Sequence, residues 1–424
     1  MSTFSVDVYQ NEYLPLGGAE VNAIVTVTSA GGERTAEQPE AAEIVIVDTS
    51  GSMNVPRVKI NAAREATAVA IDCIRDGVTF GVIAGTHEAK LVYPPAQTLV
   101  PASTVTRGEA KSAVSRLGAD GGTAMGSWLR LARWLFGARS DRVCHAILLT
   151  DGQDQHEAPE ELDAVLAECE GRFQCDCRGV GTDWEVSELR RIAAMLLGTV
   201  DIIPDPADMA GDFRSMMETA MGKATRSVSL RVWTPQGAEV AFIRQVAPTI
   251  EELTDRGVEV NALTADYPTG TWGSESRDYH LCIKVEPRNP GDEMLGGRVT
   301  LVEGDESLGQ GLVKAIWTDD QQLSTRINRE VAHYTGQAQL AECIQDGLEA
   351  RKAGDQATAT YKLGRAVQLA AGSGNDRTLK LLEAVVEVDD AGTGTVRLRG
   401  DVADIDEMAL DTRSTKTVRV GQDS

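Results

Sequence analysis

The sequence is poor in aromatic residues, in histidine and in positive charge. Of its 424 residues, 4% are aromatic, five are histidines, and 41 are basic against 64 acidic, which gives a formal net charge of −23. A protein that grips nucleic acid through its phosphates needs a basic surface, so nucleic acid is not an expected partner. An anionic membrane surface is not expected either, for the same electrostatic reason.

Long apolar runs are also missing, and the first residues do not have the pattern of a leader segment. No run of about 18 apolar residues occurs, so we expect no membrane-spanning helix. The first residues, MSTFSVDVYQNEYLPL, have neither a basic segment nor an apolar core, so we expect no signal peptide. The seven cysteines are an odd number, which favours reduced thiols over paired disulfides. These features together predict a cytoplasmic protein.

The motifs of several common enzyme classes are absent as well. The sequence contains no G-x-S-x-G, P-loop or protein-kinase pattern, and no histidine lies in a pattern typical of a nucleophile–base pair. An enzyme normally needs an identifiable base or nucleophile. We therefore expect a protein that is not an enzyme.

What the sequence does have is a clear change of secondary-structure pattern along the chain. Residues 41–222 alternate strand-like and helix-like segments, which predicts an α/β domain with a doubly wound, mostly parallel sheet. Residues 223–319 contain strands separated by turn residues, which is typical of an antiparallel β-sandwich. Residues 1–40 hold two further strands that cannot form a stable sheet alone. We expect them to complete the sandwich, with the α/β domain either inserted in it or followed by it.

The C-terminal third divides into a helical part and a polar part. Residues 320–388 have helical patterns, and one phrase, LEARKAGDQATATYKLGRAVQLA, resembles a tetratricopeptide hairpin. Such arrays need about three repeats, so a small three-helix bundle is the alternative interpretation. Residues 389–424 are acidic, contain several threonines and have few aromatic residues, which predicts a mostly disordered tail.

Oxygen-bearing side chains follow two of the predicted buried strands. Asp48, Ser50 and Ser52 alternate directly after the apolar run IVIV, so a single turn can aim their oxygens at one point. Thr123 lies in a glycine-rich loop before a predicted helix, and Asp151 follows the second strand, AILLT. Ligands bind at the carboxyl edge of open α/β sheets, and oxygen donors suit Mg²⁺, Mn²⁺ or Ca²⁺. Taken alone, an Asp-x-Ser after a strand is equally typical of a helix cap.

The order of these segments resembles the von Willebrand factor A domain family and its metal-ion-dependent adhesion site, over about residues 41–222. The five positions of that site are filled by Asp48, Ser50, Ser52, Thr123 and Asp151. The resemblance implies that the two serines and the threonine contact the cation, and that the aspartates act largely through water. It also implies that the cation is Mg²⁺ or Mn²⁺ and that an Asp or Glu of a protein partner completes its coordination.

From these observations we predict a non-enzymatic, divalent-metal-dependent protein-binding adaptor. The alternative is an accessory subunit of a metal chelatase or another AAA+ ATPase complex, because some members of the family serve beside such motors. The sequence has no motor of its own. It leaves open the partner, the pathway, the oligomeric state and the choice between Mg²⁺ and Mn²⁺.

The predicted tail carries a second candidate feature, a group of threonines among basic residues that is typical of a Ser/Thr kinase substrate. Val418 and Val420 lie three positions beyond two of these threonines, which resembles ligands of forkhead-associated domains. A phosphothreonine adds charge and three acceptor oxygens that an arginine cluster can bind. The candidate phosphorylation sites are Thr412, Thr415 and Thr417. An ordinary solvated tail is the alternative.

Overall fold

The protein folds into two compact units. The computed structural model describes residues 3–30, 40–137 and 142–419. One unit is Arg34–Arg226, and the other combines Met1–Glu33 with Ser227–Ser424, so the first is inserted in the sequence of the second. Residues 31–39, between the N-terminal strands and the predicted α/β domain, have the polar sequence expected of a linker and lie outside the described residues. None of the helices in the described ranges combines the length and apolar character needed to cross a lipid bilayer.

The strands are numbered in chain order. They are β1 (Thr3–Gln10), β2 (Tyr13–Leu14), β3 (Glu20–Ala30), β4 (Glu40–Asp48), β5 (Thr79–Gly85), β6 (Ala89–Tyr93), β7 (Val100–Pro101), β8 (Arg142–Thr150), β9 (Gln174–Val180), β10 (Val200–Ile203), β11 (Thr225–Trp233), β12 (Glu239–Ala247), β13 (Glu251–Glu252), β14 (Val258–Asn261), β15 (Thr264–Trp272), β16 (Glu275–Lys284), β17 (Glu293–Glu303), β18 (Glu306–Trp317), β19 (Val386–Asp390) and β20 (Thr395–Leu398).

The α-helices are numbered in the same way. They are α1 (Val58–Cys73), α2 (Thr104–Val114), α3 (Met125–Phe136), α4 (Pro159–Cys169), α5 (Val186–Met195), α6 (Met209–Met221), α7 (Gln321–Ser324), α8 (Arg329–Lys352), α9 (Gln356–Ser373), α10 (Asp376–Val385) and α11 (Asp404–Arg413). Short 3₁₀ turns occur at Gly51–Asn54, Pro206–Asp208 and Thr254–Arg256.

The inserted unit is built on a mostly parallel sheet with the strand order β10-β9-β8-β4-β5-β6, in which β7 also pairs with β5. Strands β4, β5, β8, β9 and β10 are parallel, and β6 and β7 run antiparallel to β5. The central strand β4 is apolar without alternation because both of its faces are covered. Val45 and Val47 belong to the cluster formed with α1, α2 and α6. On the other face, the ring of Trp128 in α3 packs directly on Gly85.

The second unit contains two facing sheets made from both ends of the chain. One has the order β1-β3-β16-β12-β13 and the other the order β14-β15-β11-β17-β18-β2. Strand β3 pairs along its length with β16, and β2 pairs with the end of β18. The sheets contact each other through Phe4 and Trp272, whose ring centroids lie 5.7 Å apart, and through Val8 against Gly311. The predicted fold class, an α/β domain combined with antiparallel sheets and C-terminal helices, is therefore confirmed.

The C-terminal region is more ordered than its composition indicates. Helices α8, α9 and α10 pack into one apolar cluster, which also contains Val386, Val396 and Leu410. These three residues belong to the hairpin β19–β20 and to helix α11. The prediction of a mostly disordered tail from residue 389 is therefore wrong for the described part of that tail. Val396 and Leu410 are buried in the cluster with helices from another segment, and Leu398 and Val402 are partly buried against it.

A buried charged triad crosses the parallel sheet near the amino ends of its strands. The Nδ1 of His145 lies 2.8 Å from Oε1 of Glu43, and its Nε2 lies 2.9 Å from Oδ2 of Asp176. Thr199 donates two further hydrogen bonds to Asp176. Burial by itself lowers the pKa of His145, but the charge of Glu43 and the hydrogen bonds that the ring donates to both carboxylates outweigh it and raise that pKa to about 10. At neutral pH we therefore expect an imidazolium at His145, between Asp176 and Glu43, although burial raises the pKa of Glu43 against the opposing charge of His145.

This triad predicts a loss of stability at alkaline pH. In an unfolded chain a histidine has a pKa of roughly 6.5. A raised folded-state pKa gives a stabilisation that is complete below pH 6.5 and is lost as the pH rises through about 10. We expect the free energy of unfolding, measured by urea titration, to fall between pH 7 and pH 10 by on the order of 1 kcal/mol per pH unit. The double variant Glu43→Gln/His145→Gln should lose most of this slope, and an unchanged slope would contradict the assignment.

Candidate metal site

The candidate site lies where the strands β4 and β8 end side by side. The two strands are parallel neighbours with Val47 opposite Leu149, so Asp48 and Thr150 come to the same point of the sheet edge. Asp151 follows Thr150 directly. The first polar turn after β4 and the turn after β8 are therefore in contact, as expected for the carboxyl edge of a parallel sheet.

Asp48 is fully buried and organises the first turn. Its Oδ1 accepts a hydrogen bond of 2.7 Å from the backbone N–H of Ser50, and its Oδ2 accepts one of 2.5 Å from the hydroxyl of Thr150. Burial raises the pKa of Asp48 to about 6, against the opposing effect of these hydrogen bonds. Both of these hydrogen-bond donors are neutral. A cation bound beside Asp48 would therefore stabilise the charged form of its carboxyl group.

The remaining predicted donors form a continuous row of oxygens. The hydroxyls of Ser50 and Ser52 lie 2.8 Å apart, and Ser52 donates a hydrogen bond of 2.7 Å to Oδ1 of Asp151. Thr123 lies beside Ser52, as the surroundings of Gly152 show. A Cβ atom placed on Gly152 would lie 3.3 Å from Oγ of Ser52 and 3.4 Å from Oγ1 of Thr123. The structure thus brings all five predicted residues to one cluster.

Backbone hydrogen bonds hold the three loops of the cluster together. Gly51 N–H donates to the carbonyl of Gly121 at 2.9 Å, and the N–H groups of Gln155 and His156 donate to the carbonyl of Thr123 at 3.3 and 3.2 Å. Gly121 has a φ of +84°, a conformation that favours glycine. Each loop therefore depends on the others for its position, and the cluster is a preformed arrangement.

Two acidic residues fix the helix that follows Thr123. The backbone N–H of Met125 donates to Oδ2 of Asp154 at 3.1 Å, and that of Gly126 donates to Oε2 of Glu157 at 2.6 Å. Free N–H groups at a helix N-terminus attract carboxylates, so these contacts anchor the first turn of α3. No local sequence pattern identifies Asp154 and Glu157, because a contact between separate loops leaves none.

Lys59 also contacts the cluster, although it lies outside the five predicted positions. It lies in α1, is 6% exposed, and places its Nζ 2.7 Å from Oδ2 of Asp151 and 3.2 Å from Oδ2 of Asp183. A signal for it was present: Lys59 is four residues before Ala63 and seven before Ala66, so it falls on the buried stripe of the helix. A lysine at such a position indicates a buried acidic partner.

The donor set of the cluster fits a small, hard divalent cation. Hydroxyl and carboxylate oxygens are the ligands that Mg²⁺ and Mn²⁺ take in proteins. Within the described ranges, no group of three or more His, Cys, Asp or Glu side chains is placed to hold a metal ion, so the hydroxyls are essential to this candidate. The gap beside Gly152 is bordered by the hydroxyls of Ser52 and Thr123, whose oxygens lie 3.3 and 3.4 Å from the position that a Cβ atom would take there.

The three candidate phosphorylation sites differ in their surroundings. Thr412 is 1% exposed within α11. Thr417 is half-buried, and its hydroxyl donates a hydrogen bond of 2.6 Å to the carbonyl of Val246. Thr415 is half-buried and its carbonyl accepts from the N–H of Ile250 at 2.8 Å. The prediction that they lie in a disordered tail is therefore wrong, because this segment packs along the loop after β12. Val420 lies outside the described residues.

Comparison with known proteins gives matches over the whole chain. The family model of the von Willebrand factor type A domain matches residues 44–153, and that of the von Willebrand factor type A C-terminal domain matches residues 368–414. A solved structure described as von Willebrand factor type A from Catenulispora acidiphila is 50% identical, covers 99% of this chain and 98% of its own, and superposes with a TM-score of 0.94.

Two more distant matches support the fold alone. The ArnB paralog VWA2 from Sulfolobus acidocaldarius is 15% identical, with 98% of each chain covered and a TM-score of 0.59. An uncharacterized protein from Synechocystis sp. is 25% identical over 269 residues, or 63% of this chain. The matched region spans 62% of the length of that relative.

The gap beside Gly152 yields a prediction about metal binding. In Gly152→Ala the added methyl would lie 3.3 Å from Oγ of Ser52 and 3.4 Å from Oγ1 of Thr123, so a small shift of these hydroxyls should accommodate it and the fold should persist. We expect this variant to bind Mg²⁺ at least about tenfold more weakly in calorimetric titration, a loss of roughly 1.4 kcal/mol.

The matched control for this prediction is Gly118→Ala. A Cβ on Gly118 meets no atom within 4 Å, and this residue precedes the same threonine loop. Gly118→Ala should bind Mg²⁺ as the wild type does. Equal affinity in the Gly152→Ala protein would show that the cation does not use the space between the two hydroxyls.

Proposed function

Because the chain belongs to the von Willebrand factor type A family, whose domains typically mediate protein–protein interaction, we propose that it is a non-enzymatic, divalent-metal-dependent protein-binding adaptor. The observation that carries this proposal is the row of oxygens from Ser50 through Ser52 to Asp151, with the hydroxyl of Thr123 beside it. We further propose that these residues and Asp48 form a metal-ion-dependent adhesion site for Mg²⁺ or Mn²⁺.

Each side chain has a distinct part in this proposal. Ser50, Ser52 and Thr123 supply neutral hydroxyl oxygens that would contact the ion directly, and Asp48 and Asp151 supply negative charge from buried positions. Neutral donors leave the positive charge of a divalent ion only partly compensated. When bound, the cation would offer a coordination position to an Asp or Glu of a protein partner. That ionic contact is worth more beside a partly desolvated site than in bulk water.

The cytoplasmic location predicted from the sequence belongs to the same proposal. An adaptor that works in the cytoplasm needs no disulfides, and all seven cysteines are free thiols in the structure. Six of them are buried. This pattern supports a reducing compartment.

The central prediction concerns Asp48. Because Asp48 is fully buried and holds both Ser50 and Thr150, the shape-preserving variant Asp48→Asn is a better test than truncation to alanine. Mg²⁺ should increase the free energy of unfolding of the wild type by RT ln(1 + [L]/Kd), about 2.7 kcal/mol at 100 Kd, and should therefore raise its melting temperature. The Asp48→Asn protein should show little or none of this shift in differential scanning fluorimetry.

Partner binding is tested with the same variants by affinity capture in Mg²⁺ and in EDTA. A protein retained by the wild type in Mg²⁺, and lost in EDTA and with Asp48→Asn, would support the adaptor. Asp120→Asn is a control on the same loops, with an exposed side chain. Retention of the partner that is unaffected by EDTA and by Asp48→Asn would contradict the metal-dependent mechanism. An ATPase as the retained protein would favour the accessory-subunit alternative.

The link to kinase and forkhead-associated domain signalling rests on the C-terminal segment. Among the three candidate threonines, Thr415 best keeps the features on which that prediction depends, since it is partly exposed between Arg413 and Lys416. A phosphate on Thr417 would have to replace its hydrogen bond to Val246. We propose Thr415 as the site.

The order of modification follows from burial. In phosphopeptide mass spectrometry of protein purified from its native host, we expect phosphate on Thr415 and none on Thr412, whose side chain is buried. Thr393, an exposed threonine of the β19–β20 turn, serves as a reference for non-specific modification. Phosphate on Thr412 at equal or higher occupancy would contradict the proposed packing of this segment.

A further inference from the structure

A buried ion pair lies directly behind the proposed metal site. Nζ of Lys59 is 2.7 Å from Oδ2 of Asp151, and the two side chains are 8% and 0% exposed. The second partner of Lys59, Asp183, lies at 3.2 Å and is 68% exposed. Water therefore screens the contact with Asp183, whereas the contact with Asp151 is made in a low-dielectric interior.

The carboxylate of Asp151 is divided between two roles. Its Oδ2 is engaged by Lys59, while its Oδ1 accepts the hydrogen bond from Ser52. Lys59 thus fixes which oxygen of Asp151 faces the hydroxyl row.

The same contact changes the charge of the site. Asp48 and Asp151 contribute two buried negative charges, and the donors to Asp48 are neutral. Lys59 cancels one of these charges, so a divalent ion bound to this site would leave one positive charge in excess. A carboxylate brought by a partner would neutralise that excess, since buried charges are stable only when they are paired.

We propose that Lys59 is a positioning residue that competes with the divalent cation for Asp151 and so makes retention of the cation depend on the partner's carboxylate. This inference rests on the proposed metal site and adds to it a coupling between cation and partner. By linkage, a partner that strengthens cation binding is itself bound more tightly when the cation is present. Lys59 sets the size of that coupling.

The inference is tested on the full chain with Mg²⁺ alone as the probe. Lys59→Met removes the competing charge, so metal-free protein should melt at a lower temperature because Asp151 is left buried without a cation. The same variant should bind Mg²⁺ roughly tenfold more tightly in calorimetric titration, since removal of a nearby like charge favours the ion. Lys59→Gln, which keeps a hydrogen-bond donor without charge, should change the affinity in the same direction and guards against loss of folding.

Two control variants separate charge from packing. Lys59→Arg keeps the charge and should restore an affinity near that of the wild type. Asp183→Asn removes the exposed partner of Lys59 and should leave both the melting temperature and the Mg²⁺ affinity nearly unchanged. A residue with a merely structural role would lower the melting temperature without tightening Mg²⁺ binding.

The outcomes distinguish this inference from the proposed function. The wild type could bind Mg²⁺ while Lys59→Met and Lys59→Gln bind it equally or more weakly. That result would overturn the role of Lys59 and leave the proposed metal site intact. Absence of Mg²⁺ and Mn²⁺ binding in the wild type and every variant would overturn both. Tighter binding in the two neutral variants, reversed in Lys59→Arg, is the result expected.

Discussion

The parallel pairing of β4 with β8 is the constraint on which the rest of the inserted unit depends. It sets Val47 opposite Leu149, and one residue later it brings the hydroxyl of Thr150 to the carboxylate of Asp48. Because parallel strands end at the same edge, the turns that follow them must meet there. A slip of one residue would move every side chain of β4 to the opposite face and separate these turns.

Around that edge, the candidate site is held by groups that are not themselves proposed ligands. Asp154 and Glu157 anchor the first turn of α3, backbone hydrogen bonds join the loops, and Lys59 orients Asp151. Functional sites keep their geometry when such supporting contacts lock the direct ligands in place. Here the support includes the buried ammonium group of Lys59. Its contact with Asp151 therefore sets both the position of that carboxylate and the charge of the site.

The second unit shows a different use of chain topology. Strands β1 to β3 cannot be stable alone, and they are completed by β16 and β18 from the other side of the insertion. Its sheets therefore form only when residues separated by more than two hundred positions pair, as Thr26 and Asp278 do through a hydrogen bond of 2.7 Å. This closure costs conformational entropy, but the cost grows only slowly with the length of the intervening segment, so a long insertion is tolerated.

Local sequence patterns are sufficient to predict the type of the α/β unit and to identify the five oxygen donors that cluster at its edge. Both depend on local signals: apolar strands without alternation, and Asp, Ser and Thr at fixed offsets after them. Tertiary structure alone decided that Asp48 is buried and that Lys59 reaches Asp151 across 92 positions. It also decided that residues 386–413 pack on α8–α10. Burial and ion pairing depend on what the rest of the chain brings near a residue, and no local pattern specifies that.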